Sequence, residues 1–300
     1  MSKPFEKIFV EITNFCGLDC SFCTPLKETK ATMPLTLFKR IAQEISPLTK
    51  ICALHLLGDP LTLNDLNAYL NAANPLKLEI TTSGFFLKST NISLLLNAPN
   101  IHQINISLTS ALYQTKPIAI DSYLTPILEL CKHHQNTQSE KFINLRLWNL
   151  NLDLSAPTRN AVFYKKLKNF FNLTAISPIK TRLAYKIHLL GAPFFEWVDL
   201  ENLQNASKTQ NGFCYGASKQ LGILCDGRVV PCCFDTKGAI TLGNLNTQSL
   251  LEILHSTRTQ NLIQGFQNNL RIEEFCQACK YPSFLKFQKN IRKPHKELLN

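Results

Sequence analysis

Phe15-Cys16-Gly17-Leu18-Asp19-Cys20-Ser21-Phe22-Cys23 follows directly on an apolar run, Ile8-Phe9-Val10, and a short polar lead, Glu11-Ile12-Thr13-Asn14. Three cysteines at C-x3-C-x2-C spacing, just past a strand-like segment, place three thiolates on one tight loop. Such a loop can hold three irons of a four-iron cluster and leave the fourth without a protein ligand. A closed structural site needs four ligands, so three cysteines suggest a metal kept open for chemistry. A fragment of a zinc knuckle is the competing reading.

Outward from this loop, residues 7–189 alternate short β-branched or apolar runs with amphipathic stretches, the rhythm of βα units. Expected strands are Ile8–Ile12, Ile51–Leu57, Lys77–Thr82, Gln103–Leu108, Phe142–Trp148 and Arg182–Leu189. Expected helices are Pro34–Ile45, Leu63–Ala73, Ser89–Leu96, Ser122–His133 and Pro157–Phe170, with Pro34 and Pro157 suited to first turns. Repeated crossovers imply a parallel sheet with helices outside. Six strands are too few for a closed eight-stranded barrel. The expected fold class is therefore α/β: a partial (β/α)6 barrel over residues 1–190, with function at the C-terminal strand ends.

Periodicity stops over 191–213, a connector. A small α+β, cysteine-rich unit follows over 214–282, and a basic tail over 283–300. In the second unit, Cys225-Asp226-Gly227 between apolar runs signals a hairpin. A helix is expected from about Gln248 to Gln264.

The 300 residues carry eleven cysteines: three in 16–23, six in 214–279, and Cys52 and Cys131 between. No apolar leader or membrane-length run is visible, so a cytoplasmic protein without a membrane partner is expected. In that compartment, cysteines are metal ligands or buried thiols rather than disulfides. Their two groups suggest two metal centres. The net charge of +11 owes part to 154–195, with seven Lys/Arg and no acid. That face could meet nucleic acid, but no nucleic-acid-binding motif accompanies it.

With these elements placed, residues 5–190 resemble the radical S-adenosylmethionine (SAM) superfamily core. The resemblance implies that Cys16, Cys20 and Cys23 hold a [4Fe–4S] cluster and that Phe22 lies beside the SAM adenine. Leu57-Gly58-Asp59-Pro60 looks like the family's Gly-Gly-Glu-Pro segment, which receives the methionyl amine. Here Leu57 replaces the first glycine, and Asp59 gives a carboxylate one methylene shorter. Thr82-Ser83-Gly84 resembles the turn near the ribose, and Ser107 a ribose-contacting position. Arg146 either pairs with the methionyl carboxylate or makes an ordinary strand-end ion pair.

The C-terminal part resembles the shorter, "twitch" form of the SPASM domain. That resemblance implies Cys214, Cys232, Cys276 and Cys279 as ligands of a second, auxiliary [4Fe–4S] cluster, with Cys233 interchangeable with Cys232 and zinc as the competing metal. A flavodoxin or ferredoxin would supply the electron. The implied function is reductive SAM cleavage to a 5′-deoxyadenosyl radical that takes hydrogen from a peptide or small-molecule substrate, with net oxidation or crosslinking. The alternatives are RNA modification by the same chemistry and a zinc-dependent nucleic-acid-binding protein.

Among further candidates, Trp148, Asn149 and Phe195-Glu196-Trp197 lie where substrate would meet the barrel, although aromatic packing with Glu196 exposed is the simpler account. Cys52, Cys131 and Cys225 read as inert buried thiols, His133 and His134 as helix-end contacts, and His55 as a satisfied core histidine.

Overall fold

The computed structural model describes residues 4–24 and 29–282, so the basic tail lies outside the described residues. The first half runs β1 (Lys7–Val10), α1 (Leu35–Ile45), β2 (Cys52–Ala53), α2 (Leu66–Ala72), β3 (Leu78–Thr82), α3 (Ser89–Asn97) and β4 (Ile101–Ser107). It continues through α4 (Thr109–Leu112), α5 (Ile120–Asn136), β5 (Phe142–Leu150), α6 (Ala161–Phe170), β6 (Lys180–Ala184) and β7 (Ile187–Pro193). The second half is β8 (Gln220–Ile223), β9 (Arg228–Val230), β10 (Gly243–Asn244), α7 (Leu250–His255), α8 (Thr257–Gln267) and α9 (Glu274–Ala278).

Among the described residues one ten-stranded sheet contains all the strands, in the order β10-β9-β8-β1-β2-β3-β4-β5-β7-β6. From β1 through β5 to β7 every pairing is parallel, which gives the six parallel strands of an open barrel. The apolar stripes of the helices drive this packing. On α1, Leu37, Phe38, Ile41, Ala42 and Ile45 are buried at helical spacing and join Ile8, Val10 and Ile12 in one core.

Two expected elements are divided. The run Arg182–Leu189 is a hairpin: Lys186 takes φ 54°, the chain turns at Tyr185-Lys186, and β6 returns antiparallel along β7. The sixth parallel strand is therefore β7. The helix expected over 248–264 breaks at Ser256, whose backbone is extended and whose Oγ accepts from the Thr259 amide, starting a new helix.

The cysteine-rich unit does not stand apart. β8 pairs in parallel with β1, Lys7 opposite Gln220 through Val10 opposite Ile223, and extends the barrel sheet on its first edge. The expected hairpin is present, with Gly227 at φ 88° and the Asp226 carboxylate accepting from the Arg228 amide. Leu221, Ile223, Leu245, Ile253 and Phe266 belong to the same apolar core as the barrel.

Candidate active site

The three-cysteine loop leaves the C-terminal end of β1 and is pinned from both sides. Asn14 Oδ1 accepts from the Ala31 amide at 2.7 Å, and Thr13 Oγ1 donates to the Ala31 carbonyl at 3.0 Å. On the other side the turn after β2 crosses the loop so closely that a Cβ on Gly58 would sit 1.8 Å from the Thr13 carbonyl oxygen. The Asp59 amide donates to Phe15 O at 3.0 Å. Only glycine permits this crossing, which sets the Gly58-Asp59-Pro60 turn against the cysteines.

Cys16, Cys20 and Cys23 are half-buried. Burial pushes the Cys16 thiol up to about 12, with the charges of Asp59, Cys20 and Cys23 adding to it. Burial and the Cys20 charge push Cys23 up to about 11. Burial also raises Cys20, opposed by Gln114, whose Nε2 donates to its Sγ at 2.8 Å. The three sulfurs thus sense one another, and thiolates there need a cation to offset their desolvation. A cationic iron cluster fits that donor set.

Asp59 is 2% exposed and accepts four hydrogen bonds. Oδ1 takes the Leu61 amide, while Oδ2 takes Thr82 Oγ1 at 2.9 Å, the Ser83 amide at 2.8 Å and Ser83 Oγ at 2.6 Å. Both oxygens are engaged by protein donors, so the carboxylate joins the turn after β2 to the Thr82-Ser83-Gly84 turn after β3. Gly84 lies at φ 86°, where a side chain would be strained and tightly packed, and Tyr123 Oη donates to Ser83 O at 2.7 Å and Ser107 O at 3.3 Å. Three expected contact regions are thereby brought together.

Arg146 does not stand free. Its guanidinium Nη2 lies 3.4 Å from Glu79 Oε1 and stacks over Trp148, 4.7 Å from the ring centroid. Glu79 is also held by Lys7 at 2.5 Å and accepts from Asn105 Nδ2 at 2.8 Å. Burial alone would raise the Glu79 carboxyl, but Lys7 and Arg146 hold it below the usual range. The ion-pair account of Arg146 therefore describes this structure. The residues of these strands that face away from the helices form a polar lumen.

His55 belongs to the same lumen. Burial drives its imidazole down to about 3, with Glu79 opposing and Arg146 and Lys7 reinforcing. Its Nδ1 and the Arg146 Nε are buried without a partner, so His55 is not the satisfied histidine expected.

In the C-terminal unit, Cys214 lies before β8, Cys232 and Cys233 after β9, Cys276 on α9 and Cys279 at its end. Burial raises Cys232 strongly, and the charges of Cys233, Cys214 and Cys276 add to it. Burial likewise raises Cys276, with Cys214 and Cys279 contributing. The four expected thiols are thus mutually close. Cys233 also senses Cys214 and Cys279, and it packs against Leu56, Leu224 and Val230. Arg271 fastens the site: Nη1 donates to the carbonyls of Cys276 and Cys279 at 3.1 and 3.0 Å, and Nη2 to Asn211 O at 2.6 Å. Four thiols from separate elements fit a fully ligated cluster. Among the described residues no three His, Cys, Asp or Glu side chains converge on a single ion.

Between the centres lies an aromatic seam. Phe22 meets Phe194 at 5.3 Å and Tyr113 at 5.7 Å, and the next residue, Phe195, stacks on Phe234 at 4.0 Å with Trp197 and Tyr281 alongside. Glu196 is exposed and pairs with Lys280. Trp148 is exposed, whereas Asn149 is buried in a reciprocal amide pair with Asn160 and is not presented to a substrate. Cys52, Cys131 and Cys225 are buried as expected. His134 is buried with Nε2 at 2.7 Å from Lys141 O. Glu79, Gln114 and Arg271 were not anticipated. Each acts across the fold, and Gln114 lies 94 residues from the sulfur it contacts.

Residues 214–280 match the family model described as "SPASM: Iron-sulfur cluster-binding domain". Over 93% of this chain and 94% of the other, the fold superposes on BtrN in complex with AdoMet and 2-DOIA, with TM-score 0.58 and 16% identity. This chain shares the fold of BtrN. Streptococcus suis SuiB bound to precursor peptide SuiA matches with TM-score 0.58 and 13% identity, over 94% of this chain and 73% of SuiB. Native anSMEcpe with bound AdoMet and Cp18Cys peptide matches with TM-score 0.57 and 12% identity, over 95% and 99%. No curated protein matches by sequence. The SPASM match falls within the cysteine-rich unit expected over 214–282. Among the described residues no helix is long and apolar enough to cross a membrane.

Proposed function

We propose that this chain is a radical SAM enzyme, with an auxiliary cluster in a twitch-like SPASM domain, that oxidises or crosslinks a peptide or a small molecule. The observation that carries the reading is the three-thiol loop locked beneath the Gly58-Asp59-Pro60 turn, with Asp59 close enough to raise Cys16. In this reading Cys16, Cys20 and Cys23 hold three irons and leave one for SAM. When bound and reduced by a flavodoxin or ferredoxin, the cluster and SAM supply methionine and a 5′-deoxyadenosyl radical that abstracts a hydrogen atom from substrate carbon.

The chain's own groups orient and shield. Phe22, packed on Tyr113 and Phe194, offers an apolar face for the adenine. The turn Thr82-Ser83-Gly84, together with Ser107, borders the ribose. Asp59 fixes that turn in place, so backbone carbonyls beside Gly58 are the groups left for the methionyl amine. Arg146 pairs with Glu79 through Nη2 at 3.4 Å, and its unpartnered Nε is a donor left for the methionyl carboxylate.

Net oxidation removes one further electron and one proton from the substrate. The enclosed thiols Cys214, Cys232, Cys276 and Cys279 would hold the centre that takes the electron. Peptides in SuiB and anSMEcpe and 2-DOIA in BtrN keep both substrate classes in view. All eleven cysteines are free thiols, in keeping with a reducing cytoplasm.

The test is anaerobic reconstitution with iron and sulfide. A brown protein that releases 5′-deoxyadenosine when reduced with SAM supports the reading. A colourless protein that holds stoichiometric zinc at both sites overturns it.

A further inference from the structure

The three-cysteine loop leaves the C-terminal end of β1. The opposite end of the barrel carries a cationic site of its own. Lysines stand at most strand starts there, and three are neutralised: Lys7 by Glu79, Lys50 by Glu6 and Lys186 by Glu140. Of the others, Lys219 before β8 lies outside the cavity that the remaining two line. Lys77, just before β3, and Lys141, just before β5, have no carboxylate partner among the described residues.

Both line a cavity of about 550 Å³ between the connections into β3, β4 and β5, with His102 of β4 between them. Lys141 Nζ is half-buried and donates to the carbonyls of Ala98 at 2.7 Å and Ile101 at 3.1 Å, which leaves one N–H and a full charge uncompensated. Glu140 is the acid in the wall among the described residues, and its carboxylate is already taken by Lys186 and Tyr185. Burial, with Lys77, Lys186 and Lys141, holds His102 below the usual imidazole range against the opposing charge of Glu79. Pro75 and Pro99 add apolar wall. The volume falls in the range of small-molecule sites rather than of flat protein or nucleic-acid contacts.

We propose that this floor cavity binds a phosphate ester of up to nucleotide size, its phosphate held between Lys77 and Lys141 with His102 as a further donor. The site is separated from the cysteine loop by the length of the strands, roughly 16 Å for five residues. It does not depend on the radical SAM reading.

The test is calorimetric titration of the whole protein with inorganic pyrophosphate and with ribose 5-phosphate, at constant ionic strength. One saturable site per chain is expected. Lys77→Glu, a change at an exposed position, should weaken it by roughly tenfold or more. Lys141→Met should do likewise, and Lys77→Glu keeps the test open if loss of the Lys141 carbonyl contacts impairs folding. Lys219→Glu makes the same charge change at an exposed residue outside the cavity, and binding should be unchanged. Absence of saturable binding overturns the proposal. So does an equal loss in Lys219→Glu, which would mean that only the general positive field was measured.

Discussion

At the N-terminal centre three thiols come from one loop of eight residues, 16–23, whereas at the C-terminal centre they come from a loop, a strand end and a helix spread over 214–279. The first loop borrows its shape from outside: the Gly58 crossing, the Asp59 carboxylate and Gln114. The second is enclosed and fastened by a single guanidinium, Arg271, which ties two cysteine carbonyls to the Cys214 loop. An open donor set leaves room for a substrate-like ligand on the metal, and a closed one does not. Under the proposed function, the first would cleave SAM and the second would store electrons or support folding.

The largest expected effect separates the two directly. Replacing Cys16, Cys20 and Cys23 together with Ala should abolish 5′-deoxyadenosine release. Replacing Cys276 and Cys279 should lower iron from about eight to about four per chain while SAM cleavage survives. Iron analysis and product release measured on the same samples check this, and loss of cleavage in the second variant would erase the distinction.

Next comes the brace of the open centre. Asp59→Ala leaves the Ser83 amide, the Thr82 and Ser83 hydroxyls and the Leu61 amide without their acceptor in a buried place. A loss of about 2–4 kcal/mol is expected by anaerobic denaturant unfolding. SAM cleavage should fall with it, because two of the turns around SAM lose their common anchor. Arg271→Met is the matching change at the closed centre. It should lower auxiliary iron with little effect on SAM cleavage.

These two braces also show how much could be read in advance. The loop Cys16–Cys23, the βα rhythm and the C-terminal cysteines are local patterns, and the structure places them where the pattern did. Asp59 was legible as a residue but not as a hub, because its donors lie 23 and 24 positions further on. Glu79 sits in an ordinary apolar strand, and nothing near it in sequence announces Lys7 or Arg146. The turn at Tyr185-Lys186 uses a lysine at φ 54° rather than Gly or Asn, so the strand looked unbroken.

A smaller effect probes the lumen between the centres. The folded-state value of His55 is depressed from 6.5 to about 3, so the unfolded chain binds the extra proton first. The stability tied to neutral His55 is thus complete above about 6.5 and drains as pH falls toward 3. Anaerobic unfolding between pH 7.5 and 5.5 should show stability dropping with acidity. His55→Gln should flatten that slope, and an unchanged slope would place the titration elsewhere.

The smallest expected effect lies on the seam. Glu196 is two-thirds exposed and pairs with Lys280, also exposed, so the pair is screened by solvent and contributes little. Its neighbours do the packing: Phe195 stacks on Phe234 at 4.0 Å. Glu196→Gln should therefore leave the unfolding midpoint, iron content and 5′-deoxyadenosine release unchanged. Phe195→Ala should loosen the SPASM domain against the barrel and cost auxiliary iron first. If Glu196→Gln instead stopped turnover of a substrate while SAM cleavage continued, the carboxylate would be acting on that substrate. The seam would then be part of the active site rather than the joint between two metal centres.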